Sequence, residues 1–174
     1  MNAYSQIEDW ITQTALAVDG MNSPDADGFW RLPYGRVTLS LGVAEQSDSF
    51  ILYAPLMSVA GAGSDTLSEF YQYLLHLQLR GALPSGMAFG MDLDDTLVGV
   101  VGQYPMADLD LPSFDSILRN AASAADALCE QLQSRFTAML DADAPAERPA
   151  EPLAAPQLSD EELLRARMMQ SMHF

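Results

Sequence analysis

Two neighbouring apolar runs constrain this chain more than anything else in it. "RVTLSLGVAEQ" (36–46) alternates, with Val37, Leu39, Leu41 and Val43 on one face and Arg36, Thr38 and Ser40 on the other. A period of two over that length is a half-buried strand. "SFILYAPLMSV" (49–59) is apolar on both faces, Phe50, Leu52 and Leu56 opposing Ile51, Tyr53 and Met57. Only the short polar "EQSDS" joins the two, so they pair as an antiparallel hairpin.

The rest of the chain arranges itself around that hairpin. Tyr4, Ile7, Trp10, Ile11 and Val18 recur at helical spacing over 4–18. The turn-rich "DGMNSPDADG" (19–28) is a loop, followed by a short strand near 29–32 that Pro33 and Gly35 end. After "AGAGSD", Ser64 or Asp65 is placed to cap a helix over 66–80. That helix carries Leu67, Phe70, Tyr71, Leu74, Leu75, Leu77 and Leu79, nearly two apolar stripes where a surface helix needs one. The second stripe is read as a subunit interface. Gly81, Pro84 and Gly86 stop the helix, and "MAFGMDLDDTLVGVVGQY" then reads strand, turn, strand. Ser113, just after Pro112, is placed to cap a long helix striped by Phe114, Ile117, Leu118, Ala121, Ala125, Leu128, Leu132, Phe136 and Leu140. It would run roughly 40 Å at 1.5 Å per residue.

The expected order is α-βββ-α-ββ(β)-α, an α+β fold with an antiparallel twisted sheet flanked by three helices. It occupies residues 1–140. The Pro/Ala/acidic segment 141–157 is a linker. Residues 158–174 carry a helix start, with Ser159 as N-cap, Glu162 completing a capping box and Leu158 and Leu163 at the staple positions. Leu164, Met168 and Met172 give that short amphipathic helix its stripe.

Charge and cysteine content narrow the functional classes. Acidic residues number 24 against eight basic ones, all arginine, for a net charge of −16. Such a surface repels phosphate backbones, which argues against nucleic-acid binding, and keeps soluble a protein that displays apolar surface. No stretch approaches the roughly 18 apolar residues of a membrane span, so no membrane insertion is expected. With no secretory signal and Cys129 as the single cysteine, the reading is a cytoplasmic protein.

One stretch resembles catalytic machinery. "DLDDT" (92–96) has the form of the first motif of haloacid-dehalogenase-type phosphatases, with Asp92 as nucleophile and Asp94 as general acid or base. Those enzymes also need a parallel α/β sheet and a lysine, and this chain has no lysine. The strand signals on both sides of Asp94-Asp95 demand a hairpin, so these aspartates are read as turn residues. His76, His173 and Cys129 are too scattered for a catalytic or metal-binding cluster, and neither cofactor nor metal is expected.

Residues 74–132, "LLHLQLRGALPSGMAFGMDLDDTLVGVVGQYPMADLDLPSFDSILRNAASAADALCEQL", resemble the signature region of class I type III secretion chaperones, the Tir-chaperone family. The leucine-rich helix end is Leu74 to Leu79, with Gln78 where that family usually has Asn. The acidic turn is Asp92–Asp95, and Tyr104-Pro105 and Leu109-Asp110-Leu111 lead into the last helix. The resemblance implies a homodimer in the bacterial cytoplasm, without enzymatic activity. It would bind the N-terminal segment of a secreted effector protein as extended chain, keep it export-competent and pass it to the secretion-system ATPase. By the same analogy Phe70, Leu74, Leu77, Phe89 and Met91 make the dimer contact. Ile7 and Trp10 of the first helix, with Trp30, Leu32, Leu39, Ile51 and Tyr53 of the sheet, face the effector.

Overall fold

The computed structural model describes residues 3–14, 16, 23–92 and 96–143. Its elements are α1 (Ala3–Ile11), β1 (Trp30–Tyr34), β2 (Val37–Ala44), β3 (Ser49–Ser58), α2 (Ser64–Leu79), β4 (Met87–Met91), β5 (Leu97–Pro105) and α3 (Leu111–Asp143). The expected α+β architecture is present, with two strands after α2. Among the described residues no helix is long and apolar enough to cross a membrane.

The two apolar runs pair antiparallel as expected, Leu41 opposite Leu52 and Val43 opposite Phe50. A single 3-10 turn, Glu45–Ser47, joins them. The five strands lie in the order β1-β2-β3-β5-β4, every pair antiparallel. β5 therefore slots between β3 and β4, and β1 and β4 are the two edges.

The three described helices, α1, α2 and α3, cover one face of this sheet. Leu39, Leu41, Phe50, Leu52, Ala54, Val98 and Val100 point into that layer and are buried. Phe114 of α3 sits at its centre, its ring 5.3 Å from those of both Trp10 and Phe50. Farther along α3, Phe136 meets Phe70 of α2 at 4.8 Å. Ala121, Ala122 and Ala125 are fully buried, small enough to let the helix axis approach the strands. The helix also latches the β1–β2 turn: Asp126 accepts the Arg36 backbone N–H at 2.7 Å, and Glu130 pairs with the Arg36 guanidinium at 2.8 Å.

Several boundaries differ from the sequence expectation. α1 ends at Ile11, where the Thr12 and Thr14 hydroxyls bond back to Asp9 and Ile11 carbonyls and compete with the helix ladder; Val18 lies outside the described residues. β1 runs through Pro33, which an edge strand tolerates because the missing N–H would face solvent. The cap of α2 is Gly63, its carbonyl taking the Leu67 N–H, and Ser64 and Asp65 are the first helical residues. α3 begins earlier than Ser113. Asp110 accepts the Ser113 N–H at 2.9 Å as the N-cap, and Pro112 falls in the first turn, where no intrahelical N–H is missed. With 33 residues α3 spans about 50 Å. The compact unit ends at Asp143: residues 141–143, expected to open the linker, continue α3 instead, and the rest of the expected linker and the C-terminal helix lie from residue 144 onward outside the described residues.

Two outcomes are expected of this core. Phe114→Ala removes a fully buried ring that joins α1, α3 and the sheet, and unfolding in denaturant should show a loss of about 3 to 5 kcal/mol. Cys129 is buried with its Sγ donating to the Leu56 carbonyl at 3.1 Å, and burial pushes its thiol pKa up. It should resist a thiol reagent in the native protein and label fully once the chain is unfolded.

Candidate functional site

The sequence placed dimer-contact residues on α2 and β4, and the structure sorts them into two groups. Phe70 is completely buried against Phe136, so it belongs to the protomer core; Leu74 and Leu77 are buried as well. Phe89 is half-buried and Met91 is 37% exposed. They line a cleft of about 250 Å³ with Tyr71, Leu74, Leu75, Gln78 and Gly90. Leu75 is 63% exposed on its rim and Leu79, one turn on, is 88% exposed. The second stripe of α2 is thus real, but it is carried by Tyr71, Leu75 and Leu79 rather than by Phe70 and Leu77. Tyr71 and Leu75 were legible as the other half of an over-apolar helix.

The predicted effector-facing residues divide the same way. Ile7, Trp30, Leu32 and Leu39 are core residues, at most 1% exposed. Their positions explain it: Ile7 lies on the inner side of α1, and the other three point toward the helices from the covered face of β1 and β2. The alternation that marked them as apolar could not say which face the helices take. Trp10 is half-buried at the edge of the Phe114 cluster.

Ile51 and Tyr53 occupy the opposite face of the sheet, which no helix among those described covers. Tyr53 pairs across the ladder with Ser40 and Val101, and Val101 is 38% exposed. The Tyr53 ring lies over Gly99, where a Cβ would come within 2.8 Å of it. Burial raises the Tyr53 pKa, and the Asp92 charge adds to the shift. Toward β1 the outer face is closed by the chain itself. Phe29 lies on Gly42, and Arg31 stacks on Phe29 while bonding Ser40 at 2.6 Å and Asp25 at 2.7 Å. Beside that plug is a second cleft of about 240 Å³, lined by Tyr4, Asp27, Gly28, Phe29, Gly42, Val43 and Ile51.

Asp92 sits in the hairpin between β4 and β5. Its carboxylate accepts the backbone N–H groups of Thr96 and Leu97 at 2.7 and 3.0 Å and the Thr96 hydroxyl at 3.0 Å. Those bonds, the Leu97 and Thr96 amides first, hold its pKa below the usual carboxylate value despite some desolvation. Asp94 lies outside the described residues. The antiparallel sheet is not the parallel scaffold that a haloacid-dehalogenase site requires, and Asp92 is spent on its own turn. Among the described residues no group of three or more His, Cys, Asp or Glu could hold a metal. Because the folded pKa is lowered, Asp92 stabilises the turn above the ordinary carboxylate range and ceases to as acid titrates it. Asp92→Asn should therefore melt earlier than the parent at neutral pH, with the gap closing as the pH falls below that range.

Comparison with known proteins agrees with this architecture. A chain of the ExsC-ExsE complex has the same fold, with a TM-score of 0.58 at 19% identity over 76% of this chain and 97% of that one. YbjN of E. coli shares it with a TM-score of 0.56 at 10% identity, over 75% of this chain and 91% of the other. No curated protein matches by sequence. The family model of the Tir chaperone protein (CesT) family matches residues 16–128, well over half of the chain, and the protein belongs to that family.

Proposed function

We propose that the protein is a type III secretion chaperone that binds the N-terminal segment of one or more effectors as extended chain and keeps it export-competent. It acts by binding alone, as a homodimer in the bacterial cytoplasm, and hands its client to the secretion-system ATPase. Residues 1–143 form the chaperone domain, 144–157 the linker and 158–174 an appended amphipathic helix. The observation that carries the reading is the apolar surface left over once the core is complete. A domain of this size fills its interior with Phe50, Phe70, Phe114 and Trp30, yet still exposes Leu75, Leu79, Met91 and Val101.

The two surfaces take different roles. The α2/β4 cleft, with Tyr71, Leu75, Phe89 and Met91 above a floor of Leu74, is the dimer contact; Phe70 and Leu77 support it from within. The effector meets Trp10 and the outer sheet face at Ile51, Tyr53 and Val101, while Ile7, Trp30, Leu32 and Leu39 hold that surface in place from beneath. Alternate side chains of an extended segment match the two-residue repeat of such a face. The charge of −16 opposes self-association, so the dimer should tighten with added salt, which screens repulsion and leaves apolar contact intact.

Native mass spectrometry of the protein from its own bacterium should show a dimer mass with one co-purifying polypeptide. Leu75→Glu places a charge on an exposed side chain, so the chain should fold and appear as a monomer. Tyr53→Asp should keep the dimer and lose the client. A Leu75→Glu protein that remains dimeric would remove the cleft from the interface.

A further inference from the structure

The sheet has two open edges, and the chain occupies both with its own groups. In the β4–β5 ladder the Asp92 N–H bonds the Leu97 carbonyl, so the even-numbered residues of β4 face β5 and Met87, Phe89 and Met91 turn their backbone groups to the free edge. Two of those three N–H groups already have partners. Met87 donates to the Pro84 carbonyl at 3.1 Å, and Phe89 donates to the side-chain Oε1 of Gln78 at 3.2 Å. The second bond crosses from α2 to β4. Gln78 is an exposed polar residue set among Leu74, Leu75, Leu77 and Leu79, and its reach to the strand edge gives it a role that its exposure alone would not suggest.

The other edge shows the same device built from different residues. On β1, Pro33 has no N–H to offer. Just before it, Asp25 satisfies Phe29 twice, donating its N–H to the Phe29 carbonyl at 2.8 Å and accepting the Phe29 N–H on Oδ1 at 2.9 Å. An unpaired edge is a template for another chain's backbone, and the hazard grows beside exposed apolar side chains. β4 is that case, since Leu75, Phe89 and Met91 line the cleft against it.

We infer that Gln78 is an edge guard. Its amide oxygen stands where a neighbouring strand's carbonyl would sit, and it keeps β4 from pairing its backbone with a second chain. Partners that approach this side meet side chains and not a free ladder.

Edge closure belongs to the single protomer, so amide exchange is read in the full-length Leu75→Glu background, where the dimer contact proposed above, which shares Gln78 and Phe89, is removed. Gln78→Leu in the full-length protein keeps the volume and removes the acceptor; Gln78→Glu keeps an acceptor oxygen at the same reach. The Phe89 amide of Gln78→Leu should exchange about tenfold faster, the scale of one lost hydrogen bond, with Ala88 and Gly90 unchanged as ladder controls. Light scattering should show that variant forming assemblies heavier than the parent as concentration rises. Gln78→Glu should match the parent in both measurements. Parent-like exchange at Phe89 in Gln78→Leu, an unchanged assembly mass, or a Gln78→Glu protein that behaves like Gln78→Leu would each overturn the assignment. So would exchange of Ala88 and Gly90 that accelerates along with Phe89, which would make Gln78 a packing residue.

Discussion

Everything in this domain depends on α3 lying flat along one face of the sheet. A helix of 33 residues is far longer than the domain needs for local stability, and its stripe recruits every other element. Phe114 gathers α1 and β3, Cys129 bonds the β3 backbone, Phe136 anchors α2, and Asp126 with Glu130 secures the β1–β2 turn. Apolar burial along that line supplies the stability, while the exposed ion pairs contribute little beyond orientation. The alanines at 121, 122 and 125 matter as much as the large residues, because they set how near the helix comes.

Committing α1, α2 and α3 to one face has a consequence for the other. Among the described residues no helix lies above Ile51, Tyr53 and Val101 on the outer face, and Phe29 and Arg31 close its β1 end. A chain that needed nothing but a stable fold would make these positions polar. The same holds for Leu75 and Leu79 on α2. Apolar surface in two places, on a protein of charge −16, suits binding: the charge maintains solubility while the patches await partners. The bonds already made at the Met87 and Phe89 edge amides fit the same pattern, favouring contact through side chains over backbone pairing.

The strands and helices were largely legible because their periods are clean. Val37, Leu39 and Leu41 could only alternate, and the stripe of α3 could only be helical. The caps were less so. Ser64 and Ser113 looked suitable, yet Gly63 and Asp110 serve, because capping depends on where the preceding loop turns and not on residue type alone. Site residues were harder still. Trp30, Leu39 and Phe70 have the composition of contact residues, and the structure makes them core. Apolarity marks a side chain for burial without saying whether its own fold or a partner provides it.

The sequence by itself determined the antiparallel hairpin of β2 and β3, the amphipathic stripes of α2 and α3, the antiparallel pairing of β4 with β5 and the absence of a lysine that a haloacid-dehalogenase-type phosphatase would need. These are local properties, written in spacing and residue type over ten or twenty positions. Tertiary structure alone decided which face the helices cover, that β5 lies between β3 and β4, and that Gln78 reaches the edge of a strand eleven residues on. Those outcomes come from packing separate elements together, and the period of a strand is the same whichever of its faces ends up inside.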